Sequence, residues 1–297
     1  MFAAALIFGL CACGAPPFVD PHAGMVSVAD GRGGEMWVPL YEELPVSNFS
    51  SEEFFSEGAF VDYGGTKFEA LRGIDVSEHQ GEIDWAAVRS DGVEFAIIRA
   101  GYRGFSEGEL FEDAFFRKNI EGALAAGIKV GIYFFSQAIS VAEAVEEADF
   151  LLKIIEGYKL SLPVFYDWER IGNGNTARTD EATSDMITDG ALAFCSRVSA
   201  GGYEAGVYFY RSLGYLEYEL NRLAGLTFWA AAPGVAPDFY YEHRFWQYSY
   251  TGTVKGIATA VDLNLMFLEI PPEASPTAPN IVPGEIPPPE VSLTAGA

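Results

Sequence analysis

Leu162-Pro163-Val164-Phe165-Tyr166-Asp167-Trp168-Glu169 is an apolar run that ends on two carboxyls separated by one tryptophan. Its length and composition predict a buried strand. Side chains alternate faces along a strand, so Asp167 and Glu169 share one face and Trp168 takes the other. Two like charges that close resist joint ionisation, and one carboxyl keeps its proton to higher pH than its neighbour. One face therefore offers an acid and an anion, the pair that glycosidic bond cleavage uses.

Outward from this strand the chain alternates strand and helix. Upstream, residues 72–76, 95–99 and 128–135 read as strands, and the stretch 83–88 follows the first of them. Helical spacing of Phe111, Phe115, Ile120 and Leu124, closed by Gly127, predicts a helix over 111–126, and a second is predicted over 141–155. Downstream come a helix around 180–200, a strand over 205–210 and a helix over 213–223. Three further strands, 226–231, 244–248 and 260–265, follow without helical periodicity between them. Eight strands with helices after only the first five predict an α/β fold, an irregular TIM-like (β/α)5β3 barrel. Reactive side chains in such barrels sit at the C-terminal strand ends, where Asp167 and Glu169 fall.

This barrel occupies residues 71–270, a usual domain size. Residues 1–13 are apolar and too short to span a bilayer, and read as an export signal. Within them Leu10-Cys11-Ala12-Cys13 resembles a lipoprotein cleavage box, in which Cys13 would become the lipidated first residue and anchor the chain to a membrane. Plain secretion and an uncleaved anchor are the alternatives. Residues 14–70 lack sustained periodicity and read as an irregular leader or tether, and the Pro-rich stretch 271–297 as a disordered tail. Once the signal is removed, Cys195 is the only cysteine besides Cys13, so no intramolecular disulfide is expected within the folded region. The net charge of −24, from 42 acidic against 18 basic residues, repels nucleic acid and anionic membranes, and no basic patch offsets it.

Four acidic residues lie at or just past predicted strand ends: Asp75, Asp167, Glu169 and Asp262. An acid inside an apolar strand costs several kcal/mol unless it is paired, hydrogen-bonded or facing a solvated site. Any one alone reads as a capped strand end; four at one barrel mouth read as a site. They belong to an ordered series: Gly73-Ile74-Asp75-Val76-Ser77, Gln80-Gly81, Ile83-Asp84-Trp85, Ile132-Tyr133-Phe134-Phe135, Asp167-Trp168-Glu169, Gly206-Val207-Tyr208, Trp246-Gln247-Tyr248 and Val261-Asp262-Leu263-Asn264. In this series the chain resembles the family 25 glycoside hydrolases, the Chalaropsis-type lysozymes or N-acetylmuramidases. The resemblance spans residues 71–269. It implies an eight-stranded barrel that cleaves the β-1,4 bond between N-acetylmuramic acid and N-acetylglucosamine in peptidoglycan, needs no cofactor or metal, and works as a monomer outside the cell or at its surface.

By position, Glu169 resembles the family's general acid/base and Asp167 the carboxylate that stabilises positive charge, with Asp75 and Asp262 supporting them. Two routes are open: Asp167 orients the substrate's 2-acetamido group as internal nucleophile, with retention of configuration, or a carboxylate attacks and forms a glycosyl-enzyme. Tyr133, Tyr208, Trp246, Gln247 and Tyr248 are the candidate sugar contacts. The chain departs from the family at Phe228-Trp229-Ala230-Ala231-Ala232-Pro233, where an aromatic residue often follows the tryptophan, so one subsite wall is altered.

Other classes fit less well. A metal-dependent esterase or deacetylase draws on histidine ligands, and His22, His79 and His243 show no i, i+4 spacing. A serine hydrolase needs a Gly-x-Ser-x-Gly elbow that is missing. A wall-binding protein on a degenerate barrel is the rival from a different class; it would hold the polymer and release no sugar.

Overall fold

The computed structural model describes residues 20–171 and 177–271. Cys13, the signal-like segment and all but the first residue of the Pro-rich tail lie outside the described residues. The chain runs β1 (Met25–Ala29), β2 (Glu35–Pro39), β3 (Phe54–Glu57), β4 (Phe60–Tyr63), β5 (Phe68–Val76), α1 (Trp85–Ser90), β6 (Phe95–Arg103), β7 (Leu110–Glu112) and α2 (Phe116–Ala125). It continues with β8 (Lys129–Ser136), α3 (Val141–Ile154), β9 (Val164–Trp168), α4 (Ser184–Ala200), β10 (Ala205–Tyr210), α5 (Arg211–Leu216), β11 (Thr227–Ala231), β12 (Phe245–Gly252) and β13 (Val261–Glu269).

The barrel strands are β5, β6, β8, β9, β10, β11, β12 and β13, and pairing of β5 with both β13 and β6 closes the sheet. The last strand runs antiparallel to both neighbours, β12 and β5, while the other contacts around the barrel are parallel. Among the described residues, helices follow only the first five barrel strands, as the (β/α)5β3 pattern requires. Two predicted helices are shorter than expected. Where the first was expected to begin, Leu110–Glu112 pairs with β6 as an antiparallel strand, so α2 starts at Phe116. The stretch 213–223 splits into α5 and a 3-10 turn at Leu220–Leu223.

Inside the barrel, Phe95, Phe165 and Phe245 meet edge to face, with centroids 5.7 and 5.2 Å apart, and Trp229 packs on Phe165 at 5.2 Å. Two glycines make this possible. A Cβ on Gly73 would lie 2.2 Å from the Phe95 ring, and one on Gly206 would lie 2.6 Å from Phe165. Gly73→Ala should therefore destabilise the barrel by about 1–3 kcal/mol, as overpacking of a filled core does. Chemical denaturation checks this, and an unchanged midpoint would mean the ring can move aside.

The leader is a correction to the sequence reading. Instead of an irregular tether over 14–70, its described part forms two antiparallel hairpins, β1–β2 and β3–β4. The second covers the wall that has no helices, and the first lies beside α5, where Arg211 Nη1 donates to the Ala29 carbonyl at 3.4 Å. Phe54 packs on Trp246 and Phe267 with centroids 5.6 and 6.0 Å apart, and Phe49 lies 4.4 Å from Phe267. The Val61 amide donates to the Tyr248 hydroxyl at 3.3 Å, and Arg72 Nε donates to Asp62 at 2.6 Å. Between the hairpins, the Ser47 amide donates to the Tyr240 carbonyl at 2.8 Å and that of Glu242 to the Pro45 carbonyl at 2.9 Å. Strands of four or five residues are too short to show a period, and the local signals are confined to the turns, Asp30-Gly31 with Gly31 at φ 77° and Gly58-Ala59 with Gly58 at φ 63°.

Candidate active site

Alternation along each strand decides what enters the barrel mouth. On β9, Trp168 points outward, its indole N–H donating to the Ala138 carbonyl at 3.0 Å, and Asp167 points inward. Glu169 follows just past the strand end. Its backbone carbonyl accepts a hydrogen bond from Gln137 Nε2 at 2.7 Å, and Arg170 beside it is held by Glu217 and by the carbonyls of Thr179 and Ala182. On the opposite wall Asp75 and Asp262 face each other as cross-strand partners of β5 and β13. Barrel closure thus brings the first and last strands' carboxyls together.

Asp75, Asp167, Glu169, Asp262, Tyr133, Tyr208 and Gln247 line one cavity, joined by Arg99, Phe135 and Trp229. A hydrogen-bonded chain fixes the floor. Tyr208 donates to Gln247 Oε1 at 3.0 Å, and Gln247 Nε2 donates to Asp75 at 2.8 Å and Asp262 at 3.2 Å. Trp229 donates to Asn264 Oδ1 at 2.9 Å, and Asn264 Nδ2 donates to Asp75 at 2.7 Å.

Two predicted sugar contacts are not in the cavity. Gln247 faces inward, so Trp246 and Tyr248 face outward; the indole N–H of Trp246 donates to the Ala232 carbonyl at 2.8 Å, and Tyr248 meets the leader. Their aromatic rings serve the packing of the helix-free wall. Arg99, Phe135, Trp229 and Asn264, which the sequence reading did not single out as site residues, are part of the site. Asn264 shares a face with Asp262 at i+2, a signal present in the sequence. Arg99 ends an apolar run, and its guanidinium is held by Asp113 at 2.7 Å and Glu78 at 3.1 Å. A roomier cavity beneath Phe49, Phe68 and Phe267 opens at the other end of the barrel, away from the four carboxyls.

Burial raises the proton affinity of all four carboxyls. It is the largest cause at Asp75, ahead of the neighbouring Asp262, and at Asp167, ahead of Glu169 and Asp75. Glu169 is pushed up to about 7 and Asp262 to about 6, burial again first. The Asp167–Glu169 pair therefore holds a proton near neutral pH. Arg99 pulls the proton affinity of Asp167 down, but burial and the charges of Glu169 and Asp75 outweigh it, so the proton is shared within the pair. One oxygen of Asp167, Oδ1, is buried with no hydrogen-bond partner among the described residues.

A carboxyl whose folded pKa exceeds its unfolded value binds its proton more tightly in the native state. Its contribution to stability is full below the unfolded pKa and is lost as pH rises through the folded one. For Asp262 and Glu169 that window runs from the ordinary values of 3.8 and 4.5 up to about 6 and 7. Glu147, buried against Arg103 outside the barrel and also raised to about 7, acts with the same sign. The melting temperature should fall between pH 5 and pH 8, and Asp262→Asn should flatten part of that slope. A midpoint that rises over this range would contradict the burial of these groups.

The model for glycosyl hydrolases family 25 matches residues 74–257. The chain belongs to that family. Among curated relatives, it is 29% identical over 214 residues to "Lysozyme M1" of Streptomyces globisporus, covering 68% of this chain and 69% of that one. It is 28% identical over 195 residues to "Autolytic lysozyme" of Clostridium acetobutylicum, covering 65% of this chain and 55% of the relative, and so spans about half of the latter's length. Among solved structures it is similar to the modular autolysin LytC of Streptococcus pneumoniae in complex with a synthetic peptidoglycan ligand, with TM-score 0.55, 30% identity and coverage of 67% of this chain and 47% of that one. The family match begins on β5, so the leader hairpins lie outside it.

Proposed function

We propose that the chain is a peptidoglycan hydrolase, an N-acetylmuramidase cleaving the β-1,4 bond between N-acetylmuramic acid and N-acetylglucosamine. The observation that carries this reading is the convergence of two carboxyl pairs in one cavity, with one pair holding a proton near neutral pH. Glu169 gives that proton to the departing glycosidic oxygen while positive charge grows at the sugar's anomeric carbon. The unpartnered Oδ1 of Asp167 is an acceptor suited to the N–H of a 2-acetamido group. Held there, the acetamido oxygen attacks the anomeric carbon, and water, deprotonated by Glu169, then opens the ring intermediate with retention. Asp75 and Asp262 supply negative potential opposite the developing charge.

Digestion of purified cell wall tests the reading. New reducing ends on muramic acid support it, new ends on glucosamine would make the enzyme a glucosaminidase, and polymer bound without any sugar released would make it a wall-binding protein. A sugar covalently trapped on Asp167 would replace the acetamido route with direct attack. Since the acid form of Glu169 is required, kcat/KM should decline above about pH 7. A profile still rising at pH 9 would exclude Glu169 as the acid. Because the polymer lies outside the cytoplasm, action at the cell surface, as a monomer, belongs to the same proposal. Lipidation of Cys13 would be one way to hold the enzyme there.

A further inference from the structure

We infer that Tyr250 forms one wall of a sugar-binding slot at the barrel mouth beside Asp262, a positioning role that rests on the muramidase reading. The inference starts from an irregularity in β12. Gln247 pairs with Asn264, yet Ser249 pairs with Leu263, so β12 carries one extra residue there. A second extra residue falls between Ser249, opposite Leu263, and Gly252, opposite Val261. Such bulges re-aim side chains. Leu263 and Val261 belong to the outward-facing packing of the barrel wall, so Ser249 and Gly252 share that outer side. A Cβ on Gly252 would indeed lie 2.3 Å from the Leu263 side chain. Tyr250 and Thr251 are left opposite Asp262, the inward-facing carboxyl.

Strict alternation from Gln247 would have sent Tyr250 outward with Trp246 and Tyr248. The bulges turn it to the mouth, where 46% of its surface remains exposed. Its hydroxyl is pushed up to about 12, by burial first and then by the negative charges of Glu169, Asp262 and Asp75, in keeping with a place between the two carboxyl pairs. Across the slot stands Tyr210, the β10 partner of Ala231, while Gln247 is the β12 partner of the same alanine. Ala231, the alanine of β11 that faces the barrel interior, thus sits between two strands that each carry a tyrosine, while Ala230 and Ala232 turn outward. A slot with an aromatic face at its edge and carboxyls at its base suits a pyranose ring presenting C–H groups to the aromatic and hydroxyls to the acids. The occupant is the sugar next to the one whose bond is cleaved.

The test measures kcat and KM on soluble glycan strands. It also measures the Kd of an N-acetylglucosamine–N-acetylmuramic acid tetrasaccharide by calorimetry in a Glu169→Gln background that cannot turn it over. Tyr250→Ala should raise both KM and Kd about tenfold while kcat stays within about twofold, and Tyr250→Phe, which keeps the ring, should stay within about threefold of the parent throughout. Unchanged Kd in Tyr250→Ala, with the melting transition intact, overturns the slot while leaving the muramidase reading in place. So does a loss confined to kcat, which would put Tyr250 in the chemistry instead. If the Glu169→Gln parent binds no tetrasaccharide and the native enzyme releases no sugar, the muramidase reading fails and the slot with it.

Discussion

Glu169→Gln should cut turnover on peptidoglycan by about a thousandfold, the middle of the range for loss of a positioned general acid. The substitution keeps the side chain's size and removes its transferable proton. It also removes a buried carboxyl whose charge raises the proton affinity of Asp167. The variant should therefore fold and melt at or above the parent temperature at neutral pH. Calorimetry paired with release of reducing sugar separates the two effects. Full activity would move the acid role to another carboxyl, and lost activity with lost folding would show Glu169 to be structural. The Gln137 amide still holds the residue's carbonyl, so the glutamine occupies the same place in the mouth.

Removal of residues 20–66 should abolish the cooperative thermal transition of the remaining chain. The leader buries Val28, Val38, Leu44, Phe54, Phe60 and Val61, at about 1.5–3 kcal/mol each relative to exposure. Much of that gain offsets the cost of ordering the leader itself, about 1–2 kcal/mol per residue for backbone alone. What nothing offsets is the barrel wall left bare. Trp246, Tyr248 and Phe267 are buried in the whole protein and would face water without the hairpins. Three such side chains are worth about 5–9 kcal/mol, comparable with the net stability of an entire domain. Circular dichroism and dye binding to exposed apolar surface on the shortened chain check this. A sharp transition within a few degrees of the parent would restore the leader to the role of a tether.

The barrel was legible because its strands are long enough to show apolar runs and its helices long enough to show a 3.6-residue period. The carboxyls were legible because an acid at the end of an apolar strand needs a reason to be there. Trp246 and Tyr248 were misread for want of one fact, which face of β12 is inward, and the neighbouring Gln247 supplies it only once Asn264 and Asp75 are seen to bind it. Tyr250 lay beyond sequence reasoning because bulges break the period on which such reasoning depends. Arg99 was hidden for a related cause: a cation at a strand end is ordinary until Asp113 and Glu78 are found holding it beside the site. The leader's hairpins are short, and their partners lie near the far end of the sequence.

That distance has a consequence for how the protein comes into being. On the ribosome the hairpins emerge first, yet the surface they cover is made last: Val61 waits for Tyr248, and Phe54 for Trp246 and Phe267. Asp262 arrives on the same late strand that closes the barrel. A nascent chain stopped before β13 has three of the four carboxyls, an open sheet and an uncovered apolar flank. Contacts so far apart in sequence favour slow final assembly. The enzyme is thus built to be inert through most of its own synthesis, with shelter from aggregation needed longest by its earliest residues.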